Sequence, residues 1–198
     1  MKKLVVDLGG VVIRTPFEML HKLDPVPTWT GPFAPERDQL WQTLQGGEIT
    51  EREYWQARAG EYFDGDDPLR DLFRAVLDHP EEEAIRPEMA ALLRSVDQPG
   101  AITNDLARFH SQEWIDGLSI LRVFDPLIDL SHEKYLKPDP RAFELALLQL
   151  ALPAAEVLFV DDQPHNLEGA AAVGIPTVWF DVTDPAGSIT TVKAALDA

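Results

Sequence analysis

The chain has 198 residues, 45% of them hydrophobic, with 34 acidic against 17 basic side chains and a formal net charge of −17. That size and apolar content support one domain with an insertion or two small domains, while the charge repels a phosphodiester backbone and excludes nucleic acid as a partner. No cysteine is present, which excludes disulfides and thiolate metal sites, and no window offers the ~18 apolar residues of a membrane helix, so no membrane association and a cytoplasmic location are expected.

The first element is LVVDL at 4–8, a short apolar run that ends on Asp7 and is followed by Gly9 and Gly10. Lys2 and Lys3 lead directly into this run, which is not the pattern of a signal peptide. Residues 14–85 then carry Trp29, Trp41, Trp55, Phe63 and Phe73 among helical patterns, after a proline-rich opening at Pro25, Pro27, Pro32 and Pro35. They show no strand pattern and read as a helical module inserted into the rest, with the aromatic residues as its core. The run Glu81–Glu83 reads as a solvated face.

Beyond the insertion a helix starts at Pro87, followed by the strand candidates AIT at 101–103 and LIDL at 127–130. A second helix spans Pro140 to Leu150, with Phe143, Leu145, Ala146, Leu147 and Leu150 on a broad apolar face. The strand candidates VLFV at 157–160 and PTVWF at 176–180 complete the set. Short apolar runs without alternation fit strands covered on both faces, and strand alternating with helix implies an α/β fold with a doubly wound parallel sheet. The expected division is an α/β core of 1–13 and 86–198 and a helical module of 14–85.

Ligands of such sheets sit beyond the C-terminal ends of the strands. There the chain delivers Asp7, then Thr103 and Asn104, then Ser131 and Lys137, then Asp161, Asp162 and Asn166. Neighbouring buried carboxylates repel and take up protons unless a cation intervenes. Oxygen donors with neither cysteine nor a His-Glu-x-x-His pattern suit Mg²⁺ better than zinc.

These residues resemble the haloacid dehalogenase superfamily. The pattern is an Asp after the first strand (Asp7 in VVDLGGVV), a Ser or Thr after the second (Thr103 in AITND), a Lys before a helix (Lys137 in LKPDPRAF), and an acidic pair after the fourth (Asp161-Asp162 in FVDDQPHN). The inserted module, including QGGEITEREYW at 45–55, is similar in position to the helical cap of a subgroup that includes the phosphatase domain of soluble epoxide hydrolase and sugar-phosphate phosphatases. The resemblance implies a Rossmann-like core and a phosphatase in which Asp7 attacks phosphorus and forms an aspartyl-phosphate. It further implies Mg²⁺ held by Asp7, the Gly9 carbonyl, Asp161 and Asp162, with Thr103, Asn104 and Lys137 binding the phosphate. Asn166 falls where the family places a polar group near the metal's waters. The substrate would be a small phosphorylated metabolite, handled by a monomer or homodimer.

Gly9 departs from that pattern. Phosphatases of the family carry a second Asp there that protonates the leaving alkoxide and later activates water, a function worth about 10²–10⁴ in rate. Four explanations stand. The acid/base comes from elsewhere, from His165 or from a His or Glu of the cap; or the protein is a weak or inactive relative that binds phosphate compounds or partners. Or it is a dehalogenase, since halide leaves unprotonated, although the acidic pair implies a metal that the family's dehalogenases do not use. Or it is a receiver-like domain phosphorylated on Asp7. For substrate selection the cap offers Arg14, Trp29, Arg37, Trp41 and Trp55 as candidates.

Overall fold

The computed structural model describes residues 2–197. Five parallel strands form one sheet, β1 (Lys3–Val6), β2 (Gly100–Thr103), β3 (Leu127–Asp129), β4 (Val157–Asp161) and β5 (Thr177–Trp179), in the order β3-β2-β1-β4-β5. The direction of winding reverses between β1 and β4, which places the switch point of the sheet at the ends of these two strands.

Side chains alternate between the two faces of the sheet. In β1, Leu4 and Val6 join one core cluster, while Val5 joins another with Ile102, Ile128 and Phe159. Both faces are therefore buried, which is why the strands read as unbroken apolar runs. The second cluster is closed by α9 (Pro140–Leu150) and α10 (Pro164–Ala172), through Ala142, Phe143, Ala146 and Ala170. The first cluster is closed by α6 (Pro87–Ser95) and α11 (Pro185–Leu196). The short helices α7 (Leu106–Phe109) and α8 (Gln112–Gly117) follow β2.

Between β1 and α6 the described residues hold helices and turns but no strand of the sheet: α1 (Pro16–Met19), α2 (Gln39–Gln45), α3 (Glu51–Ala59), α4 (Pro68–Leu77) and α5 (Glu81–Ala84). The proline-rich opening folds as single turns at Gly31–Phe33 and Pro35–Arg37, as residues that lack an N–H or fix φ require. Phe17, Trp29, Trp41, Tyr54 and Trp55 pack against one another, edge to face except for the tilted pairs Phe17–Tyr54 and Phe17–Trp55, so these aromatic residues build the interior of the segment. Asp38 ties the group together, accepting from Tyr54 Oη at 2.7 Å, from Arg58 and from the Gly31 amide. No helix among the described residues is long and apolar enough to cross a membrane.

Candidate active site

Asp7 stands one residue beyond β1, where the Asp7 amide still donates to Val160 O at 2.8 Å and keeps the chain against β4. The chain then turns through Gly10 at φ 75°. A side chain at Gly10 would run into the Asp162 carboxylate, 2.5 Å from an added Cβ. Glycine is needed here for the left-handed turn and for the close approach of Asp162.

Asp7, Asp161 and Asp162 converge, each offering an oxygen within 4.8 Å of the others. Lys137 is buried between two of them, its Nζ 2.9 Å from Asp7 Oδ1 and donating to Asp161 Oδ2 at 2.8 Å. Burial raises the Asp7 carboxyl; Lys137 pulls it down and Asp161 raises it further. Asp162 is raised well above the carboxylate range by burial and then by Asp161 and Asp7. Lys137 is raised by the two carboxylates, which outweigh its burial, and stays charged.

The two acidic residues at the end of β4 live in different surroundings. Asp161 is fully buried and saturated: besides Lys137, it accepts from the Gln163 amide at 2.8 Å and from Asn166 Nδ2 at 3.1 Å on each oxygen. Asp162 is partly exposed, and among the described residues its carboxylate accepts only from Gln163 Nε2, at 3.2 Å. One cation among three carboxylates leaves the cluster short of positive charge. Asn166 Oδ1 is buried beside them without a hydrogen-bond partner, although buried polar atoms are nearly always paired. An all-oxygen cluster with excess negative charge and an orphaned acceptor fits a hydrated hard cation such as Mg²⁺, whose waters would donate to that oxygen.

Thr103 ends β2 and is buried, with no hydrogen bond to its hydroxyl among the described residues. Asn104 uses its carboxamide on the backbone of Lys137, Nδ2 donating to the carbonyl and Oδ1 accepting from the amide, both at 2.9 Å. That pair of bonds holds Lys137 over the strand ends. Ser131 turns away and donates to Asp129 at 2.5 Å. Gly9 is exposed, and a Cβ added there meets nothing within 4 Å. His165 is exposed on α10. Trp29 and Trp55 are buried, Arg37 is exposed beside Glu36, and Arg14 bonds Glu18 and the Glu83 carbonyl.

Two features are not singled out by the sequence reading. Glu51, the first residue of α3, reaches the site and approaches Gln163; it could have been located from the Thr50-x-x-Glu53 capping box, which fixes where α3 begins. Arg86, buried where the chain returns from the inserted helices, donates to Gly10 O at 3.0 Å and to both carboxylate oxygens of Glu18 at 2.6 and 2.8 Å. It braces the turn that follows the nucleophile candidate, and nothing in the local pattern marks it.

A parallel sheet thus carries an acidic cluster and a lysine at its switch point. The chain belongs to the haloacid dehalogenase-like hydrolases, whose family model matches residues 5–174. It is 43% identical over 58 residues to acyl-CoA dehydrogenase family member 10 of Mus musculus, a match covering 29% of this chain and 5% of that protein. It is 29% identical over 116 residues to (S)-2-haloacid dehalogenase H-109 of Pseudomonas putida, covering 57% of this chain and 50% of the relative. The chain thus spans half or less of the length of these curated relatives. Among solved structures, a family enzyme from Bacteroides thetaiotaomicron in complex with magnesium and inorganic phosphate superposes with a TM-score of 0.54 at 17% identity, over 92% of this chain and 95% of that one.

Proposed function

We propose that this hydrolase is a Mg²⁺-dependent phosphatase of a small phosphorylated metabolite, working through an aspartyl-phosphate on Asp7, with residues 14–85 as a helical cap over an α/β core of 1–13 and 86–198. The carrying observation is the convergence of Asp7, Asp161 and Asp162 beside the buried ammonium of Lys137, which pairs with Asp7 and Asp161. The magnesium and phosphate in the Bacteroides thetaiotaomicron structure support the reading. The protein is read as cytoplasmic, a monomer or homodimer.

Asp7, Asp162 and the Gly9 carbonyl would hold the cation: the Asp162 carboxylate is the less engaged of the acidic pair, while Asp161 is committed to anchoring Lys137. When bound, Mg²⁺ supplies positive charge to phosphate oxygens and to the approach of the nucleophile. Lys137 supplies the permanent charge: an ammonium 2.9 Å from Asp7 favours the ionised carboxylate against the burial that raises it to about 7, and it faces the developing charge on the non-bridging oxygens. Thr103, its hydroxyl uncommitted, donates to one of those oxygens. Asn104 acts through Lys137, whose backbone it fixes. Closure of the helical segment excludes water during transfer and selects the substrate.

The test is hydrolysis of a panel of aryl, sugar and nucleoside phosphates with Mg²⁺ or with a chelator. Turnover that requires Mg²⁺ and disappears in Asp7→Asn supports the reading; equal turnover by wild type and Asp7→Asn sinks it. A second reading, haloacid dehalogenation, is favoured by Gly9 and by the curated relative of that name. It predicts metal-independent halide release from a 2-haloacid.

A further inference from the structure

We propose that Glu51 is the proton donor and acceptor that Gly9 cannot be, giving a proton to the leaving oxygen and later taking one from the attacking water. The proposal rests on the phosphatase reading above. It begins from the space over Gly9, which is exposed and where an added Cβ meets nothing within 4 Å. Nothing from β1 or its turn occupies the place a shuttle would use.

Glu51 enters the site from the opposite side. Thr50 and Glu53 form the capping box that starts α3, the Thr50 amide donating to Glu53 Oε2 at 2.7 Å and the Glu53 amide to Thr50 Oγ1 at 3.2 Å. The helix is therefore capped without Glu51, whose carboxylate is free to point elsewhere. It is partly buried and forms no ion pair among the described residues. Its contacts are two long hydrogen bonds, from Trp55 Nε1 at 3.4 Å and from Gln163 Nε2 at 3.5 Å. The same Gln163 amide donates to Asp162, so Glu51 lies one side chain away from the acidic cluster and is not locked in place.

The groups that face Glu51 are Asp161 and Asp162 at the end of β4, Asp105 ahead of α7 and Lys137 ahead of α9. Arg52, next on its own helix, acts on Asp105. A partly buried acid without a cation partner beside an acidic cluster is costly to keep for packing alone. Burial first, and then Asp161 and Asp105, push the Glu51 carboxyl up to about 7, against the pull of the Trp55 N–H. Burial persists when a cation neutralises the cluster, so the carboxyl can both give and take a proton near neutral pH.

The steps balance. Asp7 attacks phosphorus, the bond to the leaving oxygen breaks, its electron pair stays on that oxygen, and the Glu51 carboxyl protonates it to an alcohol. Water then attacks the phosphorus of the aspartyl-phosphate, Glu51 takes the water's proton, the bond to Asp7 breaks, and inorganic phosphate leaves with Glu51 protonated again.

The test compares phenyl phosphate with dinitrophenyl phosphate as a function of pH, in the presence of Mg²⁺, for wild type, Glu51→Gln, Glu51→Asp and Glu51→Gln combined with Gly9→Asp. Wild-type kcat/KM for phenyl phosphate should fall as pH rises through about 7. Glu51→Gln should lose about 10²–10⁴ on phenyl phosphate, abolish that limb, and lose several-fold less on dinitrophenyl phosphate, whose leaving group needs no proton. Adding Gly9→Asp should restore turnover of phenyl phosphate. An equal loss on both substrates, or a limb that survives Glu51→Gln, overturns the role of Glu51 while wild-type turnover keeps the phosphatase reading. Should Glu51→Gln fail to fold, Glu51→Asp decides on the same leaving-group dependence. Wild type that hydrolyses neither ester overturns both proposals.

Discussion

Replacing Asp162 by Asn should stabilise the protein in a chelator and abolish its stabilisation by Mg²⁺. Asp162 faces the carboxylates of Asp7 and Asp161, with oxygens within 4.8 Å, and two unit charges at that distance repel by about 3.5 kcal/mol at an effective dielectric of ~20. The repulsions from Asp161 and Asp7, with Glu51 adding to them, outweigh the pull of Lys137, and partial protonation of Asp162 relieves part of the excess, so a gain of about 1–3 kcal/mol is expected at pH 7. Little is lost in exchange, because the carboxylate accepts only from Gln163 and an amide can keep that bond. The sign follows from proton linkage: an acid raised in the folded state binds more protons folded than unfolded, so its penalty grows as pH rises above the unfolded value near 3.8 and vanishes below it. Urea unfolding of wild type and Asp162→Asn between pH 4 and pH 8, with chelator and with Mg²⁺, measures both halves. A variant less stable than wild type in chelator at pH 7 would refute the reasoning and make Asp162 a structural acceptor.

Gly10→Ala should cost about 1–2 kcal/mol from its positive φ alone and displace the Asp162 carboxylate, which a weakened response of the melting temperature to Mg²⁺ would report. Gly169→Ala places a methyl against the Pro138 carbonyl, pushing α10 from the segment that carries Lys137; overpacking of this kind costs about 1–3 kcal/mol, read by urea unfolding, and turnover should fall with it. Gly9→Asp should leave stability within about 0.5 kcal/mol, since the new side chain enters open space, and should raise activity on alkyl phosphates. Lys137→Met strands Asp7 and Asp161 in a buried site and should cost about 3–5 kcal/mol at neutral pH, the loss shrinking in acid as Asp7 protonates.

The central strands β1, β2 and β4 were legible because they are buried on both faces and carry apolar runs without alternation, while the edge strands β3 and β5 bury only their middle residue fully and were legible from their short apolar runs and their place between helices. The convergence of Asp7, Lys137 and the Asp161-Asp162 pair was legible for a related reason: each follows a strand of one parallel sheet, so chain order already implies a common edge. Different partners for two adjacent, identical residues were not. Asp161 is saturated by Lys137, Gln163 and Asn166 while Asp162 keeps its carboxylate nearly free, a distinction made by which way each side chain leaves the strand. Ser131 follows β3 yet is spent on Asp129, and Asn104 serves the Lys137 backbone. The capping box marks Glu51 as the first residue of α3, but its approach to the sheet depends on how α3 sits over the strand ends, a tertiary fact that the local pattern does not carry.

The covalent role of Asp7 is tested most directly by the mass of the peptide that carries it. Wild type is mixed with dinitrophenyl phosphate and Mg²⁺ in heavy-oxygen water, quenched in acid within one turnover, and digested. The account predicts a phosphoryl group on Asp7 early in the reaction, with the heavy oxygen appearing in inorganic phosphate and none in the Asp7 carboxyl after turnover. An unmodified Asp7 throughout a turnover that releases phosphate would contradict it.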